Sequence, residues 1–511
     1  MKNNILLFLF IYSFSHYSFG QITFQKTYGA SFAEYASFSQ QTADGGYIIC
    51  GRTFSFGNGN GDVYLIKTDE NGDTLWTKVY GDIDTDEANS VQQTNDGGYI
   101  LVGCTSPCGS CDHKSYLIKT DANGDTIWTK TYESNNFKEI KSIKQTTDGG
   151  YIMVGLDCSL VKSDSNGTIL WAKTYGGTGD DRANSIQRTT DGGFIITGTT
   201  NSFGAGNYDF NLIKTDSAGN LTWAKTYGGL NTDNANSVQQ TSDGGFIIAG
   251  TTLSFGIGWS DFLAIKTDIN GNMLWSKTYG TANGDWAYYI QQTNDGGYVI
   301  AGSTENDVYL IKTNANGDPL WTKSYGGSGV DQGQSVQQTK DGGYIVAGYS
   351  DNSFDTQSAD FYLIKTDANG NSGCNENIIS TIVTIPSIIV TSPTMIVSNI
   401  NPVISTPLTQ ISSGCTVLNL CFNTGIASLN EEYELNVYPN PSSGIFTVSL
   451  KNKTVEMKIC VYDVLGSCLL KKDCRNDGNP KIDLSCQPQG IYFYRIAFSN
   501  GEFATGKLVV E

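Results

Sequence analysis

A five-residue string, Asp-Gly-Gly-Tyr-Ile, begins at Asp44 and returns at Asp96, Asp148, Asp191, Asp243, Asp295 and Asp341, with Phe for Tyr in two copies and Val for Ile in one. Seven copies do not arise by accident, and a fixed period in a long chain means repeated supersecondary units. Two further strings share the period: an apolar segment ending in Lys-Thr-Asp, as at 66–69 and 213–216, and Trp-x-Lys-x-Tyr, as at 76–80 and 275–279. Each repeat therefore reads as four short strands, which in the second copy are 90–94, 99–103, 116–119 and 128–132. Asp-Gly-Gly supplies the positive φ that a tight hairpin needs between strands one and two. Asp-x-Asn-Gly, as at 69–72, does so between strands three and four. A four-stranded antiparallel unit recurring roughly every 45–50 residues is the pattern of a β-propeller blade, because one blade alone cannot bury both faces.

The phase of the repeat predicts how the ring closes. The Trp string occurs six times, at Trp76, Trp128, Trp171, Trp223, Trp275 and Trp321, against seven hairpins. Phe24-Gln-Lys-Thr-Tyr28 matches the missing copy, with Phe for Trp. The expected fold is all-β: a seven-bladed β-propeller over 21–373 closed by the N-terminal strand, a β-rich linker, and a small C-terminal β-sandwich. Closure removes a sheet edge that would otherwise invite aggregation. The repeated Trp residues read as wedges between blades, each contributing about 1.5–3 kcal/mol by burial. The Asp-x-Asn-Gly-Asp turns resemble a calcium loop only faintly, lack its distal bidentate Glu, and read as hairpins.

Composition narrows the function classes. The formal net charge is −18 with 16% charged residues, so polyphosphate and anionic lipid are repelled and nucleic acid is not an expected partner. Residues 1–20 combine Lys2, an apolar run over 5–12 and a small residue at Gly20, the pattern of a secretory signal peptide, and no later stretch is long and apolar enough to span a bilayer. The chain is expected to be secreted or held on the outer cell surface. Its 12 cysteines are compatible with disulfides in an oxidising compartment. Cys104, Cys108, Cys111 and His113 have zinc-like types but occur in one repeat only, so no metal and no cofactor is assigned. His113 is the one histidine after residue 20, which argues against Ser-His-Asp chemistry. Glu34, Glu87 and Glu305 are irregular acids that form no evident glycosidase pair, and no catalytic residue is assigned.

Both hairpin turns fall at one end of each blade, so the longer, variable loops at 55–62, 202–209, 254–261 and 353–360 fall at the other, where recognition is expected. The loop of the third repeat, 155–161, is shortened there. Trp259 and Trp286 stand outside the repeated Trp position, and with Asp261, Asp285 and Tyr288 they make the candidate ligand-binding group, a platform for glycan or peptide. The leading expectation is a binding module for glycan, peptide or matrix. The alternatives are a carbohydrate-active enzyme using loop-face carboxylates and a structural surface component.

From Asn377 to Asn430 no residue is charged. Residues 374–434 cycle Ile, Val, Thr, Ser and Pro, and read as an extended or strand-like spacer. After it, about seven short strands with Asn/Gly turns make up 435–511. Tyr438-Pro439-Asn440-Pro441, the Tyr-Asp-x-x-Gly turn ending at Gly466, Gly490 and Tyr492, and the terminal Lys507-Leu508-Val509 closely resemble the type A C-terminal sorting domain of the Bacteroidota type IX secretion system. That resemblance implies recognition by an outer-membrane translocon, then release or attachment at the surface. The cysteines at 460, 468, 474 and 486 exceed the family pattern and read as structural disulfides.

Overall fold

The computed structural model describes residues 21–106, 114–134, 138–352, 354, 358–400, 403–405, 410–412, 414–420, 434–451, 457–462, 468–474, 480–485, 487–498 and 503–510. The expected signal peptide, Cys108, Cys111, His113, Gly466 and Cys486 lie outside them. The chain divides into two compact units, Met1–Cys421 and Phe422–Glu511.

The first unit is all-β, with seven five-stranded antiparallel sheets in a propeller-like arrangement. The fifth repeat is typical, with Asp233–Gln240, Phe246–Thr252, Asp261–Thr267 and Met273–Gly280 as consecutive neighbours. Six sheets take four consecutive strands in this way. The last repeat supplies only Val330–Gln338, Tyr344–Asp351 and Ala359–Thr366, and its fourth strand is Phe24–Gly29, paired Phe24 to Lys365 and Tyr28 to Phe361. The innermost strand of each sheet packs on that of the next, and Val330–Gln338 packs on Glu34–Gln41.

The repeated strings are explained by contacts between sheets. In all seven sheets the Tyr of the fourth strand donates its hydroxyl to a Gly carbonyl in a turn of the following sheet, as Tyr80 does to Gly124 at 2.6 Å. Gly124 adopts φ 78°, and a Cβ there would lie 2.9 Å from the Trp76 ring, so only glycine fits under the wedge. Six of the wedge rings also meet an aromatic of the next sheet. Trp76 lies 5.9 Å from Tyr99, and Phe24, standing in for the missing Trp, lies 6.1 Å from Tyr47. The Asp of Asp-Gly-Gly has a second task in all seven copies, pairing with the buried Lys of Lys-Thr-Asp, as in Lys214–Asp191 at 2.8 Å. The Asp-x-Asn-Gly-Asp segments are turns: the Asp69 carboxylate accepts the backbone N–H of Asn71 and of Asp73, at 2.9 and 2.8 Å.

The stretch expected to be a spacer is built into the first unit. Seven short strands, Glu376–Ile378, Ile382–Thr384, Ile389–Thr391, Ile396–Asn399, Val403–Ser405, Gln410–Ser412 and Thr416–Asn419, each add a fifth strand to a different sheet, in the order sixth, fifth, fourth, third, second, first and seventh. The segment runs backwards around the ring as a belt. A step of six or seven extended residues reaches about 20–25 Å, which carries the chain from one outer edge to the next. Its last strand covers the N-terminal one, pairing Tyr28 with Val417. Cys374, at the start of the belt, is disulfide-bonded, and its sulfur lies 3.3 Å from the Leu420 carbonyl at the end. The first compact unit therefore extends to Cys421, because uncharged Ile/Val/Thr triplets pair with open edges rather than stay in water.

The second unit has a three-stranded sheet (Glu434–Tyr438, Ile445–Lys451, Lys481–Asp483) and a four-stranded sheet ordered Cys468–Cys474, Met457–Tyr462, Gly490–Phe498, Phe503–Val510. Both contribute to one core, which includes Phe446, Val448, Ile459, Ile496 and Leu508.

Candidate functional site

Each innermost strand of the ring carries a β-bulge at the same place. The register shifts across Ser37, Asn89, Lys141, Asn184, Asn236, Tyr288 and Gln334. A bulge leaves its extra residue out of the ladder and turns its side chain aside. All seven residues line one cavity of about 440 Å³, joined by Tyr35, Ala36, Arg52, Glu87 and Tyr349. The cavity lies at the axial ends of the strands that lead to the long loops. The bulge residue is Asn in three sheets and Ser, Lys, Tyr or Gln in the other four.

Three asparagines anchor the wall. The Asn89, Asn184 and Asn236 amides donate to the backbone carbonyls of Ile140, Ala235 and Ala287 in the following sheets, at 2.9, 2.8 and 2.7 Å. Charge enters from one side. The Arg52 guanidinium lies 3.2 Å from Glu87 and over the Phe54 and Tyr35 rings, at 4.7 and 5.9 Å from their centroids. Lys141 pairs with Glu139, and Tyr35 meets Tyr349 edge-on at 4.9 Å. Aromatic faces, fixed amides and a held ion pair around one cavity suit a ligand rich in hydroxyl groups.

The five residues expected to form a platform are not together. Trp259 and Trp286 do meet, ring to ring at 6.0 Å and 81°, and Trp259 is 73% exposed. Tyr288 instead lines the axial cavity, its hydroxyl 3.5 Å from Gln332. Asp261 and Asp285 are buried. Asp261 accepts the backbone N–H groups of Ile257 and Gly258, and Asp285 accepts that of Thr281. They brace loops, as Asp209 and Asp233 do in the preceding repeats. Burial pushes the Asp261 carboxyl up to about 6. Glu34 is also no irregular acid. It occupies the place of Asp181 and Asp233, accepting from Thr53 as they do from Thr200 and Thr252. Glu87 lines the cavity and Glu305 sits on an exposed turn. In the third repeat the loop closes in three residues, with Asp157 and Cys158 at positive φ, and Cys158 is a buried free thiol.

The bulge ring escaped sequence reasoning, although a signal was present. The position three residues before the recurrent glutamine is Asn in three repeats and Ser, Lys, Tyr or Gln in the other four.

In the second unit the expected sorting residues converge. The Asn440 amide donates to the Lys507 carbonyl at 2.6 Å and accepts the Val509 N–H at 2.9 Å, tying Tyr438-Pro-Asn-Pro441 to the final strand. Leu508 is buried, Lys507 and Tyr438 are exposed, and the Tyr492 hydroxyl donates to the Pro488 carbonyl at 2.6 Å. Cys460 is a free thiol. Among the described residues no helix is long and apolar enough to cross a membrane.

No curated protein matches the chain. Among solved structures it is similar to PorZ, described as an essential bacterial surface component of the type-IX secretion system of Porphyromonas gingivalis. The identity is 10% and the TM-score 0.34, over 91% of this chain and 69% of that one. It is also similar to the extracellular domain assigned to a hybrid two-component system of B. thetaiotaomicron, at 9% identity and TM-score 0.20, over 93% and 84% of the two chains. Neither likeness speaks to this chain's ligand. The family model described as a secretion system C-terminal sorting domain matches residues 436–511. Those residues belong to the sorting-domain family of the type IX pathway, and the chain is addressed to the cell surface or the extracellular space.

Proposed function

We propose that the exported chain is a binding protein: a seven-bladed propeller, closed by its own first strand, that takes a glycan into the axial cavity. The observation that carries this reading is the convergence of all seven bulge residues on one cavity with mixed amide, aromatic and charged chemistry. Tyr288, Tyr35 and Tyr349 would supply ring faces, Asn89, Asn184 and Asn236 polar contacts, and Arg52 a directed donor pair. The exposed Trp259, set against Trp286, is proposed as a separate stacking surface. Asp261 and Asp285 are left out, since both are buried and each gives one carboxylate oxygen to loop backbone. A glycosidase needs two acids across a cleft. Among the described residues Glu87 is the one carboxylate lining the cavity, and it is paired with Arg52, which favours binding over hydrolysis.

The test is a glycan array with the full secreted chain, followed by titration of the best hit. Arg52→Ala and Tyr288→Ala are each expected to weaken that glycan at least about 10-fold, the size of one lost anchoring contact. Trp259→Ala tests the second surface separately. Unchanged binding in both cavity variants would refute the axial assignment.

A further inference from the structure

Below the bulges, six innermost strands carry glutamine at one equivalent position: Gln40, Gln92, Gln187, Gln239, Gln291 and Gln337. Each amide oxygen accepts a backbone N–H from the next sheet, for example Gln40 from Gln93 and Gln92 from Gln145, both at 2.8 Å, and Gln337 from Gln41 at 2.7 Å. Gln187, Gln239 and Gln291 accept from Gln240, Gln292 and Gln338 in the same way. Because a backbone N–H demands an oxygen, this bond fixes which way each amide faces and leaves its NH₂ as the free end.

The third sheet breaks the ring with Lys144. An ammonium cannot accept a hydrogen bond, so the Arg188 N–H lacks the side-chain acceptor that its six counterparts have. Lys144 has no ion pair among the described residues. The Phe38 ring lies 5.9 Å from its Nζ. Lys144 lines a second axial cavity of about 120 Å³ with Ser39, Gln40, Gln92, Gln291, Gln337 and Tyr289, where the Phe38 and Tyr289 rings meet at 5.7 Å between centroids. None of those four amide nitrogens has a protein acceptor among the described residues. The Lys144 side chain is partly buried, and that loss of hydration lowers the lysine's pKa.

The polar side chains lining this cavity are thus one ammonium, four amides whose oxygens are turned away, and the hydroxyls of Ser39 and Tyr289. An unpaired ammonium that has lost part of its hydration is costly, and glutamine, which six sheets use, would avoid that cost. We propose that Lys144 is the centre of an axial site for a small monoanion of carboxylate or halide size, bound by the ammonium and the glutamine NH₂ groups. The cavity exceeds the room one water needs several-fold, which admits acetate or bromide and excludes a sugar ring with its hydration. This site is independent of the glycan reading, which concerns the upper cavity.

The experiment is thermal unfolding of the full secreted chain at constant ionic strength with acetate or bromide replacing a large inert anion, combined with anomalous diffraction from bromide-soaked crystals. Wild type should gain a few degrees saturably, with a bromide peak beside the Lys144 Nζ. Lys144→Gln completes the glutamine ring. It should melt higher than wild type without anion and ignore both ions, while Lys144→Arg keeps the response. A response to bromide alone would assign the site to halide-sized ions. Equal responses of wild type and Lys144→Gln, or no axial peak, would overturn the proposal.

Discussion

The hydroxyl of Tyr28, five residues into the first strand, donates to the carbonyl of Gly72 in the first full sheet at 2.6 Å. The same bond joins every other neighbouring pair of sheets, so the N-terminal strand is held by the fold's general rule. Tyr28→Phe leaves a buried carbonyl without its donor, which costs about 1–2 kcal/mol. Tyr227→Phe, in the middle of the chain, removes the bond to Gly271 and should cost the same. Urea midpoints of the two variants check this. A silent Tyr28→Phe beside a costly Tyr227→Phe would mean the first strand is not seated.

Stability should peak in mild acid. Burial pushes Asp86 and Asp360 up to about 7, with neighbouring acids adding to it, and Asp62 and Asp261 up to about 6. For such groups the folded state binds more protons than the unfolded one between about pH 4 and their folded pKa, so their contribution is lost as pH rises through 6 and 7. The Asp-Gly-Gly acids run the other way. Burial alone would raise Asp191, but Lys214, Thr189 and Gly193 override it and hold the carboxyl down at about 2; Asp148 is likewise held at about 2. Their contribution is lost as pH falls from about 4 toward 2. Urea midpoints measured from pH 3 to pH 8 should therefore be highest near roughly pH 4–5 and lower at pH 8.

The belt makes a prediction about solubility. Each of its strands caps the outer edge of a sheet, and side chains reinforce the pairing, as between the Thr226 and Thr391 hydroxyls at 2.6 Å. A chain ending at 373 uncovers seven edges and should aggregate, whereas a chain ending at 421 should stay monomeric. Light scattering with size-exclusion chromatography distinguishes the two, and a monomeric, stable 1–373 chain would show that the belt is not needed.

Much of the repeated sheet pattern of the first unit was legible because its determinants are local and repeated. Hairpin glycines, the Lys–Asp pairs and the Trp wedges recur at fixed offsets, and the stand-in of Phe24 for Trp shows in the string around it. The belt was legible in principle: Ile-Val-Thr recurs at 382 and 389 and Ile-Val-Ser at 396, a seven-residue step. It reads as a spacer only because its pairing partners lie 50–390 residues away, as with Glu376 on Tyr325 and Val417 on Tyr28. The candidate site was less legible. Asp261 and Asp285 look like surface acids until the loop amides they accept are seen, and Tyr288 looks like a neighbour of Trp286 until the bulge turns it to the axis. The sorting segment was read from its motif strings, and Asn440 shows why they belong together in space.

Closure of the ring by its first strand is the claim on which the axial cavities and the belt depend, and amide hydrogen exchange tests it most directly. Residues 24–29 pair on both sides, with Ala359–Thr366 and with Thr416–Asn419. Their amides should exchange as slowly as those of the equivalent strand Leu221–Gly228 in the fourth sheet. Exchange of 24–29 within seconds, while Leu221–Gly228 remains protected, would contradict the closed ring.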